Sequence, residues 1–208
     1  FSCCSRALEN SPWLITEILN RKHEISAHGV KWISHAYLSR EEEKQIINDC
    51  YASILKLSGH PPQGWHTKSS TSPFTRDLLI EHGGFMYDSN AYNDDIPYVI
   101  RQNDRKFVII PYSFDTNDMR FDGNNGFVQG DDFNIYCKES FNQLLSETDD
   151  GSLRMMSIGL HPRIIGRPGR IKGLEDFIKH IKTYQNVWIP KRIDIAKYCL
   201  EKNLFNFF

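Results

Sequence analysis

Three short apolar runs in this chain stop on ionisable or polar side chains: HEISAH on His28, GGFMYDSN at the head of the acid-rich run DSNAYNDD, and MMSIGLH on His161. Strand-like and helix-like segments alternate along the chain, a pattern that predicts an α/β fold with a mainly parallel sheet. In barrels and in open α/β sheets alike, polar residues just past the C-terminal end of a strand are the usual catalytic positions. The three run ends are therefore the first places to look for chemistry. The alternation alone leaves open whether the sheet closes into a barrel.

The helices carry readable signals. Ser39 and Glu42 have capping-box spacing, Ile46, Ile47, Cys50, Ile54 and Leu57 follow helical periodicity, and Gly59 is the expected stop. Ser11 and Pro12 predict another helix start after an apolar opening at residues 1 to 4. Further helices are expected from about Thr75 to His82, around 132 to 147, over GLEDFIKHIKTYQ with a stripe of Leu174, Phe177, Ile178 and Ile181, and from near Asp194. FMYDSN, FVIIPY, MMSIGL and NVWIP read as strands, and the Asp, Asn and Gly content of residues 113 to 131 predicts a long loop.

With 208 residues the chain is long enough for a single domain spanning 1 to 208. A formal net charge of -1 gives no electrostatic argument for nucleic acid or an anionic membrane surface. No apolar run approaches the roughly 20 residues needed to span a bilayer. Cys3, Cys4, Cys50, Cys137 and Cys199 are odd in number, scattered and never spaced as CxxC, so they read as reduced thiols of a cytoplasmic protein. The chain opens on FSCCSRAL without an initiator methionine or a signal-peptide pattern, which predicts a portion of a longer protein or the removal of residues. Walker-type loops, GxSxG elbows and GxGxxG turns are lacking, so phosphate, serine-hydrolase and dinucleotide chemistry have no support.

Among the candidates, His161 is the strongest. GLHPRIIGRPGR delivers a histidine with Arg163, Arg167 and Arg170 to one loop; histidine moves protons near neutral pH and arginine holds carboxylates or polarises carbonyls. The plainer alternative is a strand cap among solvated charges. Asp94 and Asp95 are adjacent carboxylates, one of which could orient a histidine or act as a base, unless they only close a turn. His28 invites a metal reading, but His23 lies five residues before it and His35 seven after, so a ligand set within the segment is weak. Trp32 suits an aromatic wall better. Trp65, beside His66, could cover a planar ligand or fold back into the core.

SAHGVKW, GGFMYDSNAYNDDIPY, GFVQGDDF, MMSIGLHPRIIGRPGRI and VWIPKRIDIA resemble the polysaccharide deacetylase superfamily, and within it the branch of cofactor-independent allantoinases. The resemblance covers nearly the whole chain and implies a distorted (β/α)7 barrel, here lacking its first strands and first acidic motif. It implies His161 as general acid, and His28 as the first histidine of the metal-binding HxxxH motif with Trp32 in place of the second. It also implies a site without metal or cofactor. The expected activity is hydrolysis of a non-peptide carbon–nitrogen bond: allantoinase-like ring opening of a cyclic ureide or related amide. His161, His28 and Asp95 would be catalytic, and Trp32, Trp65, Arg163 and Arg167 would bind a small-molecule substrate. A metal-dependent polysaccharide N-deacetylase and a truncated inactive relative are the alternatives. Pro61 in HPPQGW stands where the branch shows arginine. Unpaired edges left by absent strands predict a homo-oligomer.

Overall fold

The computed structural model describes residues 1–102, 104–123, 126–149 and 151–204. These pack as two compact units, the first built from Phe1–Ala91, Pro97–Ile110 and the described residues from Pro190 on, the second from Tyr92–Ile96 and Pro111–Ile189.

The first unit is an α/β layer around one six-stranded sheet. Its strands are β1 (Ser2–Cys3), β2 (Ser26–Ala27), β3 (Gly64–Trp65), β4 (Tyr87–Asp88), β5 (Tyr98–Gln102) and β6 (Arg105–Ile109), in the order β1-β2-β3-β4-β6-β5. Every pairing is parallel except the antiparallel β5–β6 hairpin. The register is what matters for function. Cys3 pairs with Ala27, Ala27 with Trp65 and Trp65 with Asp88, so the residues that follow, His28, His66 and Ser89, come off adjacent strand ends together.

Helices α1 (Ser5–Asn10), α2 (Trp13–Asn20), α3 (Arg40–Ser58) and α4 (Thr75–His82) connect the parallel strands. In α3 the predicted capping box is present: Ser39 Oγ accepts from the Glu42 N–H at 3.3 Å, and Glu42 returns a bond to the Ser39 N–H at 2.9 Å. Gly59 ends the helix at φ +72°, a left-handed conformation that glycine adopts without a Cβ penalty. Ile47, Cys50 and Ile54 of α3 pack with Leu8, Ile18, Trp65, Leu79 and Ile109 into the core of this unit.

In the second unit α5 (Gly130–Ser146) packs on α7 (Pro168–Ile181) through Phe133, Cys137, Phe141 and Phe177, while α6 (Pro162–Ile165) and the 3-10 turn Asp118–Asp122 complete its edge. The last helix, α8 (Arg192–Lys202), belongs to the first unit.

Several expectations are corrected. MMSIGL forms no strand; only Gly159 makes a parallel bridge, to Asn117. NVWIP forms none either, because Trp188 and Ile189 are neighbours in sequence and both exposed, so the apolar residues do not alternate between faces. The hairpin strand β5 was not expected; it pairs antiparallel with β6, and Asp104, just before β6, takes φ +61°. Of the predicted α7 stripe, Phe177 is buried and Leu174 and Ile181 pack against the core, whereas Ile178 is exposed. The predicted loop at 113 to 131 contains the 3-10 turn, and its Asn124 and Asn125 lie outside the described residues.

Candidate active site

In the first unit the aligned strand ends build a hydrogen-bonded cluster. His28 Nδ1 bonds the His66 carbonyl, and His28 Nε2 meets the Trp32 indole N–H at 3.0 Å. An indole N–H only donates, so Nε2 accepts and the tautomer with its proton on Nδ1 satisfies both bonds. The His28 and His66 rings stack at 5.2 Å with 14° between planes. His66 Nδ1 bonds the Ser89 carbonyl at 2.7 Å, and Arg192 from α8 donates to Ser89 Oγ at 2.9 Å. One residue earlier, the fully buried Asp88 holds Arg76 through two bonds, of 2.8 and 3.3 Å. Lys68 stands over the Trp32 ring at 5.2 Å.

This donor set does not fit a metal ion. Both ring nitrogens of His28 are engaged, an indole cannot ligate, and among the described residues no three His, Cys, Asp or Glu side chains converge as ligands would.

A further histidine of this unit, His35, is buried beside Trp65, with ring centroids 6.0 Å apart. His35 Nδ1 contacts Glu43 Oε1 at 2.8 Å, Thr75 Oγ1 donates to the same oxygen at 2.6 Å, and Ser72 Oγ bonds Oε2. The group ties the segment after β2 and the segment after β3 to the first turn of α3. Burial pushes the Glu43 carboxyl up, but the bonds from His35, Ser72 and Thr75 outweigh it and hold the group below its ordinary range.

In the second unit His161 precedes α6, as its N-cap. Its Nδ1 lies 2.6 Å from Asp118 Oδ1, and its backbone N–H donates to Asp118 Oδ2 at 2.6 Å. The Ile165 N–H adds a third bond to that carboxylate at 3.2 Å. Asp118 is itself placed by the Asn117–Gly159 bridge, with its N–H on the Gly159 carbonyl at 2.9 Å. A wholly buried carboxylate thus fixes a histidine that keeps 19% of its side-chain surface exposed. The pair has the form of an oriented acid–base group: one nitrogen is held, and the other is the one from which a proton would be moved.

The sequence-predicted residues fare differently. Arg163 on α6 and Arg167 before α7 are exposed on the segment that carries His161. Asp95 is exposed and its carbonyl accepts from the Met155 N–H at 2.8 Å. Its carboxyl is pushed up by burial and by repulsion from Asp94, Glu147 and Asp115. The carboxylate paired with His161 is Asp118, which sequence reasoning missed because the two are 43 positions apart and Asp118 sits in a stretch with no periodic pattern. Trp32 is exposed as a wall would be, but Trp65 is core: it is fully buried, and its indole donates to Thr67 Oγ1 at 2.8 Å, so it shapes the strand ends only from behind. His66 was also missed as a site-forming residue, although it follows a strand end directly, and Asp88 was included only as the head of the run DSNAYNDD, from which Asp95 was taken instead. Pro61 precedes β3 whereas His66 follows it, and Pro61 lines a shallow pocket with His23 and Glu24, so the departure from arginine falls at the other end of the strand.

Comparison with known proteins joins this geometry to a lineage. No family model matches the chain. A putative polysaccharide deacetylase of Schizosaccharomyces pombe is 32% identical over 215 residues, covering 95% of this chain and 67% of that protein. The chain belongs to the polysaccharide deacetylase superfamily. The crystal structure of PuuE allantoinase superposes with a TM-score of 0.91 at 38% identity, and that of a probable polysaccharide deacetylase from Pseudomonas aeruginosa PAO1 with 0.92 at 37%. Each is matched over 97% of this chain and 67% of its own. The fold is therefore the α/β fold of the polysaccharide deacetylase type, on the side of the superfamily that includes allantoinase, and the chain spans about two thirds of the length of these relatives. The superfamily is one of hydrolases, and no helix among the described residues is long and apolar enough to cross a membrane.

Proposed function

We propose that this chain carries the hydrolytic centre of an enzyme that opens the ring of a cyclic ureide or a related cyclic amide, in the manner of allantoinase. The observation that carries this reading is the His161–Asp118 pair, taken together with membership of a hydrolase superfamily that includes PuuE allantoinase. Ring opening needs a water to attack a carbonyl, a donor for the developing oxyanion, and an acid for the departing nitrogen. With Nδ1 held by Asp118, the His161 ring is aimed to deliver a proton from Nε2 to that nitrogen, and Asp118 supplies the counter-charge while the ring carries both protons. Arg163 or Arg167, on the same segment, would hold the ureido or carbonyl oxygen through planar N–H donors. Asp95, whose carboxyl is pushed above its ordinary range by burial and by neighbouring carboxylates, is the candidate for positioning the water.

The reading assigns no step to a metal, since the His28–Trp32 bond occupies the nitrogen that a ligand would use. It is tested by assaying allantoin ring opening with and without a strong chelator. Turnover that survives the chelator is expected; turnover abolished by it and restored by zinc would defeat the reading.

A second reading, N-deacetylation of an acetylated polysaccharide, is favoured by the similarity to the polysaccharide deacetylases of Schizosaccharomyces pombe and Pseudomonas aeruginosa, putative and probable respectively. Release of acetate from a chitin oligosaccharide, with no action on allantoin, would select it. Inactivity on both substrates would leave the chain an inactive relative.

A further inference from the structure

The second unit holds three aromatic rings that the chemistry above leaves without a task. Tyr92 and Phe114 stack nearly parallel, with centroids 4.8 Å apart and 8° between planes. Tyr112 meets both edge-on, at 5.9 and 6.0 Å. Edge-on support fixes the orientation of the stacked pair, yet Tyr92 and Phe114 remain 42% and 52% exposed. Rings of this size usually pack into a core or an interface; a pre-ordered pair left half open is a prepared surface.

The cluster is tied to the acid–base pair through covalent neighbours. The Asn117 amide donates to the Tyr112 hydroxyl at 2.8 Å, and Asn117 directly precedes Asp118. The Tyr112 hydroxyl also lies against Gly159, two residues before His161, so closely that a Cβ there would fall 2.1 Å from it. Only glycine allows this approach, and it brings the aromatic cluster to the backbone that positions His161.

We propose that Tyr92 and Phe114 form a stacking platform for the flat ring of a cyclic ureide or cyclic amide, which sets the substrate's scissile amide toward His161. A planar ring with delocalised amide bonds can lay its whole face on an aromatic surface, gaining dispersion over every ring atom. A puckered sugar ring offers such a surface only its axial hydrogens. The inference rests on the ring-opening reading and adds the groups that recognise the ring.

The test uses the whole chain carrying His161→Asn, which binds without turnover, titrated with hydantoin, a planar cyclic ureide, while the ring resonances of Tyr92 and Phe114 are followed by NMR. Saturable shifts of those resonances are expected, with binding weakened about tenfold by Phe114→Ala and less by Phe114→Leu, which keeps apolar bulk and guards against a folding artefact. Equal affinity in Phe114→Ala and Tyr92→Leu overturns the platform. Shifts caused by chitotetraose and not by hydantoin overturn the ring class in favour of sugars, and no response to either overturns the platform as well. Allantoin turnover by the unsubstituted chain separates the two layers. Turnover indifferent to both aromatic substitutions defeats the platform alone, whereas absence of turnover defeats the ring-opening reading.

Discussion

The chain contains two histidine–carboxylate pairs of almost identical contact distance, His35–Glu43 at 2.8 Å and His161–Asp118 at 2.6 Å, and their surroundings differ. In the first, both side chains are sealed, at 2% and 0% exposure, and the remaining bonds of the carboxylate go to the hydroxyls of Ser72 and Thr75. Every partner belongs to a different loop or helix end, so the pair is a clamp. In the second the carboxylate is equally buried but is fed by backbone N–H groups, and the histidine is partly exposed. Backbone donors cannot rotate away, so the Asp118 carboxylate is fixed and passes that fixity to a ring that can still meet a substrate. Contact distance does not separate a sealed pair from a partly exposed one. What surrounds the carboxylate, and how much of the ring is exposed, does.

The contrast is broken most sharply at Asp118. Replacing it by asparagine keeps the shape, but the backbone N–H groups of His161 and Ile165 demand the side-chain oxygen, which turns the amide N–H₂ toward Nδ1. The ring is then held with its lone pair on the wrong nitrogen. The expected outcome for Asp118→Asn is a fall in kcat for ring opening of about 10²- to 10⁴-fold with KM little changed, measured by steady-state kinetics. The mirror experiment, Glu43→Ala, leaves His35 and two hydroxyls buried without their acceptor. It is expected to cost about 3–5 kcal/mol of stability, read from the urea midpoint, while kcat per folded molecule moves far less than in Asp118→Asn. A large kcat effect at Glu43 with an unchanged midpoint would erase the distinction.

Titration sharpens the same contrast. Glu43 is held below its ordinary value of 4.5, so folding binds fewer protons there than unfolding does. Its contribution is present above the unfolded value and is lost as pH falls through the lower, folded one. Urea midpoints between pH 6 and pH 3 should therefore drop more steeply in the unsubstituted chain than in Glu43→Gln, whose side chain does not titrate. Parallel curves would show that the clamp is not what acid removes.

How much of this could be read from the sequence depends on how local the cause is. Helix α3 was legible because its cap, its buried stripe and its glycine stop all lie within the segment itself. His161 and His28 were legible as ends of apolar runs. Asp118 was not, since its meaning comes from a bridge between Asn117 and Gly159 that joins two stretches without strand periodicity. Asp95 drew attention instead because paired carboxylates are conspicuous in sequence, while a single aspartate in a polar loop is not. Trp65 showed the reverse error: a tryptophan in a loop-like context lies on a two-residue strand, and its ring is drawn into the core between Phe85 and His35. The β5–β6 hairpin escaped because its first strand follows an acidic loop and begins only at Tyr98.

His28 supplies a third case, neither sealed like His35 nor carboxylate-held like His161. Its partners are a carbonyl on one side and an indole N–H on the other, both neutral, and Trp32 is half open to solvent. Such an arrangement selects a tautomer without supplying charge. Trp32→Phe removes the donor while keeping an aromatic wall, so Nε2 loses its partner and the Nδ1 bond to the His66 carbonyl remains. The loss of one neutral, partly exposed hydrogen bond is expected to cost about 1 kcal/mol or less. The more telling readout is the pair of ¹⁵N shifts of the His28 ring: in the unsubstituted chain they should report a proton on Nδ1 and a hydrogen-bonded acceptor at Nε2, and in Trp32→Phe the Nε2 shift should move as the indole donor is lost while Nδ1 stays protonated. If the shifts are the same in both, the indole does not bond Nε2, and the His66 carbonyl would be what holds the His28 ring.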